Sequence, residues 1–167
     1  MSTPTAPTAR VMPPQDEVKK LLSSLFGRPV VVSRCPALIR QATDKFTAAL
    51  FTHDTGAVGV VAMADLAFTA YAGAALTMFP TPMAERQIET GQVDEMVFEN
   101  FREIMNVCAS QFNGANTAHV KLTTMLRLPK DKLAPEVEAM LRKPGARLDF
   151  TVQIPNYGTG KLSFLAA

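Results

Sequence analysis

Apolar and polar positions follow different rhythms in successive stretches of this chain. After Gln15, Val18, Leu21, Leu22 and Leu25 recur at helical spacing until Gly27, and Pro29 permits no continuation, which predicts a first helix. Val30-Val31-Val32 is a short β-rich run and predicts a first strand. Phe46, Ala48 and Leu50 then alternate with more polar or small neighbours. His53-Asp54-Thr55-Gly56 supplies turn chemistry, and Val58, Val60 and Val61 resume the extended pattern, so the stretch from Phe46 to Met63 reads as a hairpin.

Residues 56–79 form a long, mostly apolar run interrupted by Asp65. A carboxylate at the centre of a bilayer is costly, so the run reads as a strand followed by a buried helix and not as a membrane span. Asp65 is the expected N-cap of that helix, which carries Leu66, Phe68, Ala72, Leu76 and Met78. Pro80 and Pro82 are expected to end it and to open a polar connector through Thr90-Gly91-Gln92.

The stretch from Val93 to Asn113 is the most two-sided. Val97, Phe101, Ile104, Cys108 and Phe112 make one apolar stripe, and Glu99, Glu103, Asn106, Ser110 and Asn113 make a second, entirely polar one. Both spacings follow from 3.6 residues per turn. Beyond it, Val120, Leu122, Thr124, Leu126 and Leu128 are expected to share one face of a strand that Pro129 ends. Pro135 opens a short helix with Val137, Met140 and Leu141, closing at Pro144-Gly145. Arg147 to Ile154 and Lys161 to Leu165 flank a glycine-rich turn and read as a second hairpin. This order of elements predicts an α+β domain with an antiparallel sheet. Residues 1–14, with four prolines among small residues, are expected to be a mobile tail, leaving 15–167 as one domain.

Composition adds limits. Of the 167 residues, 47% are apolar, enough for a sizeable core, and the nine methionines read as core filling. A net charge of +2, from 17 basic and 15 acidic side chains, provides no long-range field for nucleic acid or anionic lipid. Cys35 and Cys108 lie far apart, outside any metal-binding spacing, and are expected to be buried, reduced thiols of a cytoplasmic protein. His53 and His119 are equally isolated and read as loop or strand residues. The N-terminus has no apolar core of the kind a secretory signal needs. No P-loop, G-x-G-x-x-G or G-x-S-x-G is present, and no internal repeat is visible.

The polar stripe carries a resemblance. Glu103 and Asn106, with two residues between them, and Pro129, with another 22 between, are similar to the signature of the CheC/CheX/FliY family of bacterial chemotaxis phosphatases. Glu99 stands where that signature has Asp or Ser, and Ser110-Gln111 stand where members commonly have Gly-Asn. With one motif helix, the chain resembles the CheX type, which implies an antiparallel sheet with two long helices packed on it. The resemblance implies a phosphorylated CheY-type response regulator as partner, whose aspartyl phosphate is hydrolysed, and a homodimer joined through sheet edges. Asn106 would place the attacking water and Glu103 would pair with a partner lysine. Glu99 and Ser110 would border the contact, and Pro129 would shape the strand end. The chain would need no cofactor of its own, because the partner brings Mg²⁺. From periodicity alone, the same stripe is a solvated helix face. A non-catalytic binding or scaffold module of the same fold, in a signalling or flagellar assembly, is the alternative function.

Overall fold

The computed structural model describes residues 10, 12–114 and 117–167. Helix α1, Gln15–Phe26, starts directly after Pro14 and stops at Gly27, whose left-handed conformation (φ 63°) directs its amide onto the Ser23 carbonyl. Strand β1 follows over Val31–Arg34. The first hairpin is present as β2 (Phe46–Thr52) and β3 (Val58–Asp65). The tail expected over 1–14 lies mostly outside the described residues. Of its described part, Arg10 donates to the carbonyls of Phe112 and Ala118, and Met12 packs against the core.

Asp65 caps helix α2, Leu66–Leu76, as its position predicts: the carboxylate accepts from the Phe68 amide at 2.8 Å and from the Lys161 amide at 3.0 Å. Among the described residues no helix is long and apolar enough to cross a membrane. The polar connector expected after Pro80 is instead a helix, α3, Thr81–Thr90. Pro82 sits in its first turn, where amides have no intrahelical acceptor and a missing N–H costs nothing. That proline begins a helix where a loop was expected. Ala84 is its one buried residue, which explains the weak apolar stripe.

Helix α4 spans Glu95–Cys108, capped by Asp94 on the Val97 amide at 2.8 Å, and passes into a 3-10 turn at Ala109–Gln111. It is shorter than the 93–113 stretch because Asp94 is its cap and the chain tightens into the 3-10 turn after Cys108, leaving Asn113 beyond both. The Asn113 side chain exchanges two hydrogen bonds with the Val120 backbone, at 2.8 and 2.9 Å, and ties the end of the turn to the chain entering β4, Lys121–Leu128. Helix α5 (Pro135–Arg142) and strands β5 (Ala146–Ile154) and β6 (Gly158–Ala166) complete the chain.

The strands form one antiparallel sheet in the order β1-β5-β6-β3-β2-β4. Alternation along each strand sorts side chains between the two faces. Ala49, Phe51, Val60, Ala62, Leu162 and Phe164 face α1, α2 and α4 and build the main core with Phe68, Phe101 and Phe112. Ala48, Leu50, Val61, Met63 and Leu165 point the other way, under Val137, Met140 and Leu141 of α5. The two long helices, α2 and α4, pack closely at Gly73, where an added Cβ would lie 2.4 Å from the Val97 carbonyl oxygen.

The single face expected for alternate residues of β4 is split. Leu50 pairs with Thr124 but Phe51 with Leu122, so Thr123 is an extra residue. The shift sends Val120, Leu122 and Met125 to the main core and Leu126 and Leu128 to the smaller cluster. Cys108 is buried but Cys35 only half-buried, against the expectation of two buried thiols.

The strand order has a symmetry that no sequence repeat announces. Exchanging β1 with β4, β2 with β5 and β3 with β6 reproduces the order read backwards. Each half lends its first strand to the other half's hairpin: β1 pairs with β5, and β4 with β2. The β1–β2 and β4–β5 connections therefore both cross the sheet, joining strands that run parallel. Both cross on the face opposite α4, the first as loop 35–45 and the second through α5.

Candidate functional site

The apolar stripe of α4 is fully committed to the core. Val97, Phe101, Ile104 and Cys108 are each 2% exposed or less. By the same geometry the opposite stripe is presented to solvent, and Glu99, Glu103, Asn106 and Ser110 are all exposed. Glu103 and Asn106 are helical neighbours, about 5–6 Å apart at Cβ. Among the described residues neither has an intramolecular side-chain partner. Glu99 by contrast pairs with Arg102 at 3.6 Å, and the Ser110 hydroxyl donates to the Val107 carbonyl at 2.9 Å.

The flanks of α4 are fixed. The Asn100 amide donates to the Gly73 carbonyl and to the Thr77 hydroxyl, both at 2.9 Å, which joins α4 to the end of α2. On the other side Arg127 of β4 lies 3.9 Å from the Phe98 ring centroid, bonds Glu95 at 2.8 Å and reaches the Val93 carbonyl at 3.2 Å. The polar stripe is therefore carried on a helix held from both sides and below.

The structure brings Glu103 and Asn106 together, with Glu99 and Ser110 along the same face. It does not bring Pro129 to them. Pro129 follows β4 beside the start of α4, where it lines a cleft of about 260 Å³ with Val93, Phe98 and Arg127. Asn106 lies eleven residues beyond Glu95, about 16 Å along the axis at 1.5 Å per residue.

Sequence reasoning passed over Met96 and Val107, which are 47% and 38% exposed and extend the stripe as 96-99-103-107. Their signal was present: two apolar residues at the spacing of a polar face. Asn100 and Arg127 were also missed. An asparagine inside a helix is a weak hint, because it is a poor helix former without a tertiary bond. For Arg127 the sequence holds no hint, since its partners lie 29 to 34 residues away.

Among the described residues no three His, Cys, Asp or Glu side chains gather as a metal site. His53 and His119 are near one another in space, with His53 Nδ1 at 3.2 Å from the His119 carbonyl. The face thus offers an exposed carboxylate and an exposed amide, the amide able both to donate and to accept, on a fixed and open surface.

No protein-family model matches the sequence, and no curated protein matches it. Solved structures do match the fold. FliY of Thermotoga maritima superposes with a TM-score of 0.54 at 13% identity, over 99% of this chain and 93% of that one. A chain of the FliM–SpeE complex of H. pylori gives 0.61 at 6% identity, over 91% and 80%. A chain of the CheX–CheY–BeF3–Mg²⁺ complex of Borrelia burgdorferi gives 0.50 at 9% identity, over 90% and 92%. The α+β architecture is a CheC/CheX/FliY-type fold, shared also by the middle domain of FliM.

Proposed function

We propose that the α4 face docks a phosphorylated CheY-type response regulator and accelerates hydrolysis of its aspartyl phosphate. The observation that carries this reading is the Glu103–Asn106 pair: adjacent, exposed, unpartnered and held on a fixed helix. The Asn106 amide holds a water in line with the phosphorus. The water oxygen bonds to phosphorus, the bond to the aspartyl oxygen breaks, and the carboxylate leaves as inorganic phosphate forms and a proton passes to solvent. Mg²⁺ in this reading is the regulator's own. A positioned amide supplies what such a reaction lacks in solution, much as a glutamine does in small GTPases. Glu103 pairs with a regulator lysine, and Glu99 and Ser110 border the contact. The CheX–CheY complex among the fold's relatives supports this reading. The open edges β1 and β4 are where a homodimer would join.

The second reading is a non-catalytic docking module. Exposed Met96 and Val107 favour it, since apolar area on the stripe serves contact and not water placement.

The test is phosphate release from acetyl-phosphate-charged response regulators, with and without this chain. Acceleration is expected, with Asn106→Ala losing about 100-fold and Glu103→Lys weakening docking. A regulator that binds but is not dephosphorylated faster selects the second reading. Full activity in both variants removes the pair from the site.

A further inference from the structure

The two crossing connections leave a cleft of about 430 Å³ where they meet, on the sheet face opposite α4. A volume of that order suits a small molecule. Met63 and Leu165 form its floor, and Leu133 and Leu141 close the α5 side. The other wall is the β1–β2 connection, which is firmly held. Asp149 accepts from the Leu38 amide at 2.9 Å, and Arg147 donates to the Leu38 carbonyl at 2.7 Å. Arg147 and Asp149 also hold each other through two hydrogen bonds of 2.8 and 2.9 Å, so the charge of Arg147 is matched within the fold.

Arg40 and Arg142 line the same cleft without such a match. The four ion pairs among the described residues involve neither of them. Arg40 Nε is buried and has no hydrogen-bond partner among the described residues, so no protein acceptor offsets the guanidinium at that nitrogen. Glu138 is the one acidic side chain of the lining. Two unmatched cations against one anion leave the cleft net positive above an apolar floor.

We propose that this cleft binds a small amphipathic anion, with a carboxylate or phosphate head at Arg40 and Arg142 and an apolar body over Met63 and Leu165. An uncharged apolar molecule would leave the charges of Arg40 and Arg142 unmatched, and a wholly polar anion would leave the floor wet. The site is separated from the α4 face by the sheet itself, so it stands or falls independently of the phosphatase reading.

Isothermal titration of the full chain with octanoate, octyl phosphate and 1-octanol tests the proposal. One of the anions should saturate a single site per chain, and 1-octanol should bind at least tenfold more weakly. Whichever anion binds tighter identifies the head group. Arg40→Gln and Arg142→Gln should each weaken anion binding about tenfold, the effect of one charge-assisted hydrogen bond, without lowering the unfolding midpoints. Absence of saturation by either anion, equal binding of 1-octanol, or unaltered affinity in both arginine variants would overturn it.

Discussion

Cys108 stands on the buried side of the same helix turn as Asn106, so its thiol reports on whether α4 is packed. Burial pushes that thiol up to about 12, which keeps it protonated and unreactive in the native state. In the native protein a disulfide reagent should titrate Cys35 alone, with Cys108 reacting only once urea unfolds the chain. Fast labelling of both thiols without denaturant would contradict the packing of α4. The same assay separates a site effect of Asn106→Ala from a folding defect. Asp149 makes a prediction with pH. Burial raises its carboxyl, but hydrogen bonds from Arg147, the Leu38 amide and Ser163, with the Arg147 charge, outweigh that and hold it below the usual carboxylate value. Its stabilising effect is therefore complete above the ordinary aspartate pKa of about 4 and is lost as pH falls through the lower native value. Urea midpoints measured from pH 6 to pH 3 should fall more steeply for the native sequence than for Asp149→Asn. At this scale the sequence was legible where a residue's placement follows from its own helix period, as for the exposed positions of Glu103 and Asn106. It was silent for Arg127 and gave only a weak hint for Asn100, because their partners are set by tertiary packing.

Capping and turn residues decide the elements, and Asp65 is the sharpest instance. Its carboxylate serves two amides at once, that of Phe68 at the start of α2 and that of Lys161 in β6. Burial nevertheless raises its pKa, against the lowering effect of both amides and the Lys161 charge. Asp65→Ala should destabilise the protein by about 1–2 kcal/mol, the cost of a lost cap. Asp65→Asn keeps an acceptor oxygen and removes the buried charge, so at pH 7 its urea midpoint should lie near the native one. An equal loss in both variants would mean that the charge, and not the acceptor, holds the junction. The elements read wrongly have physical reasons. Pro82 reads as a helix stop from the sequence, although in a first turn proline is a helix start. The split face of β4 comes from one bulged residue, Thr123, whose effect on alternation no pattern of period two reveals in advance.

For the molecule as a whole, the α+β class, both hairpins and the amphipathic helix were legible because each is written in local periodicity. The exchange symmetry of the sheet was not, because it resides in which strands pair and leaves no repeated residues behind. The cleft between the crossing connections was invisible for the same reason: loop 35–45 and α5 meet only through topology.

That topology has a consequence for how the chain can be divided. A cut at the Gly91-Gln92 turn would yield two pieces, each keeping one hairpin and one orphaned strand whose only neighbour is in the other piece. Neither piece should unfold cooperatively alone, yet an equimolar mixture should recover the β-sheet circular dichroism of the uncut chain. A folded single piece would refute this. Two intact copies refolding at high concentration can meet the same pairings by trading halves, so the interlock that binds one molecule also invites domain swapping.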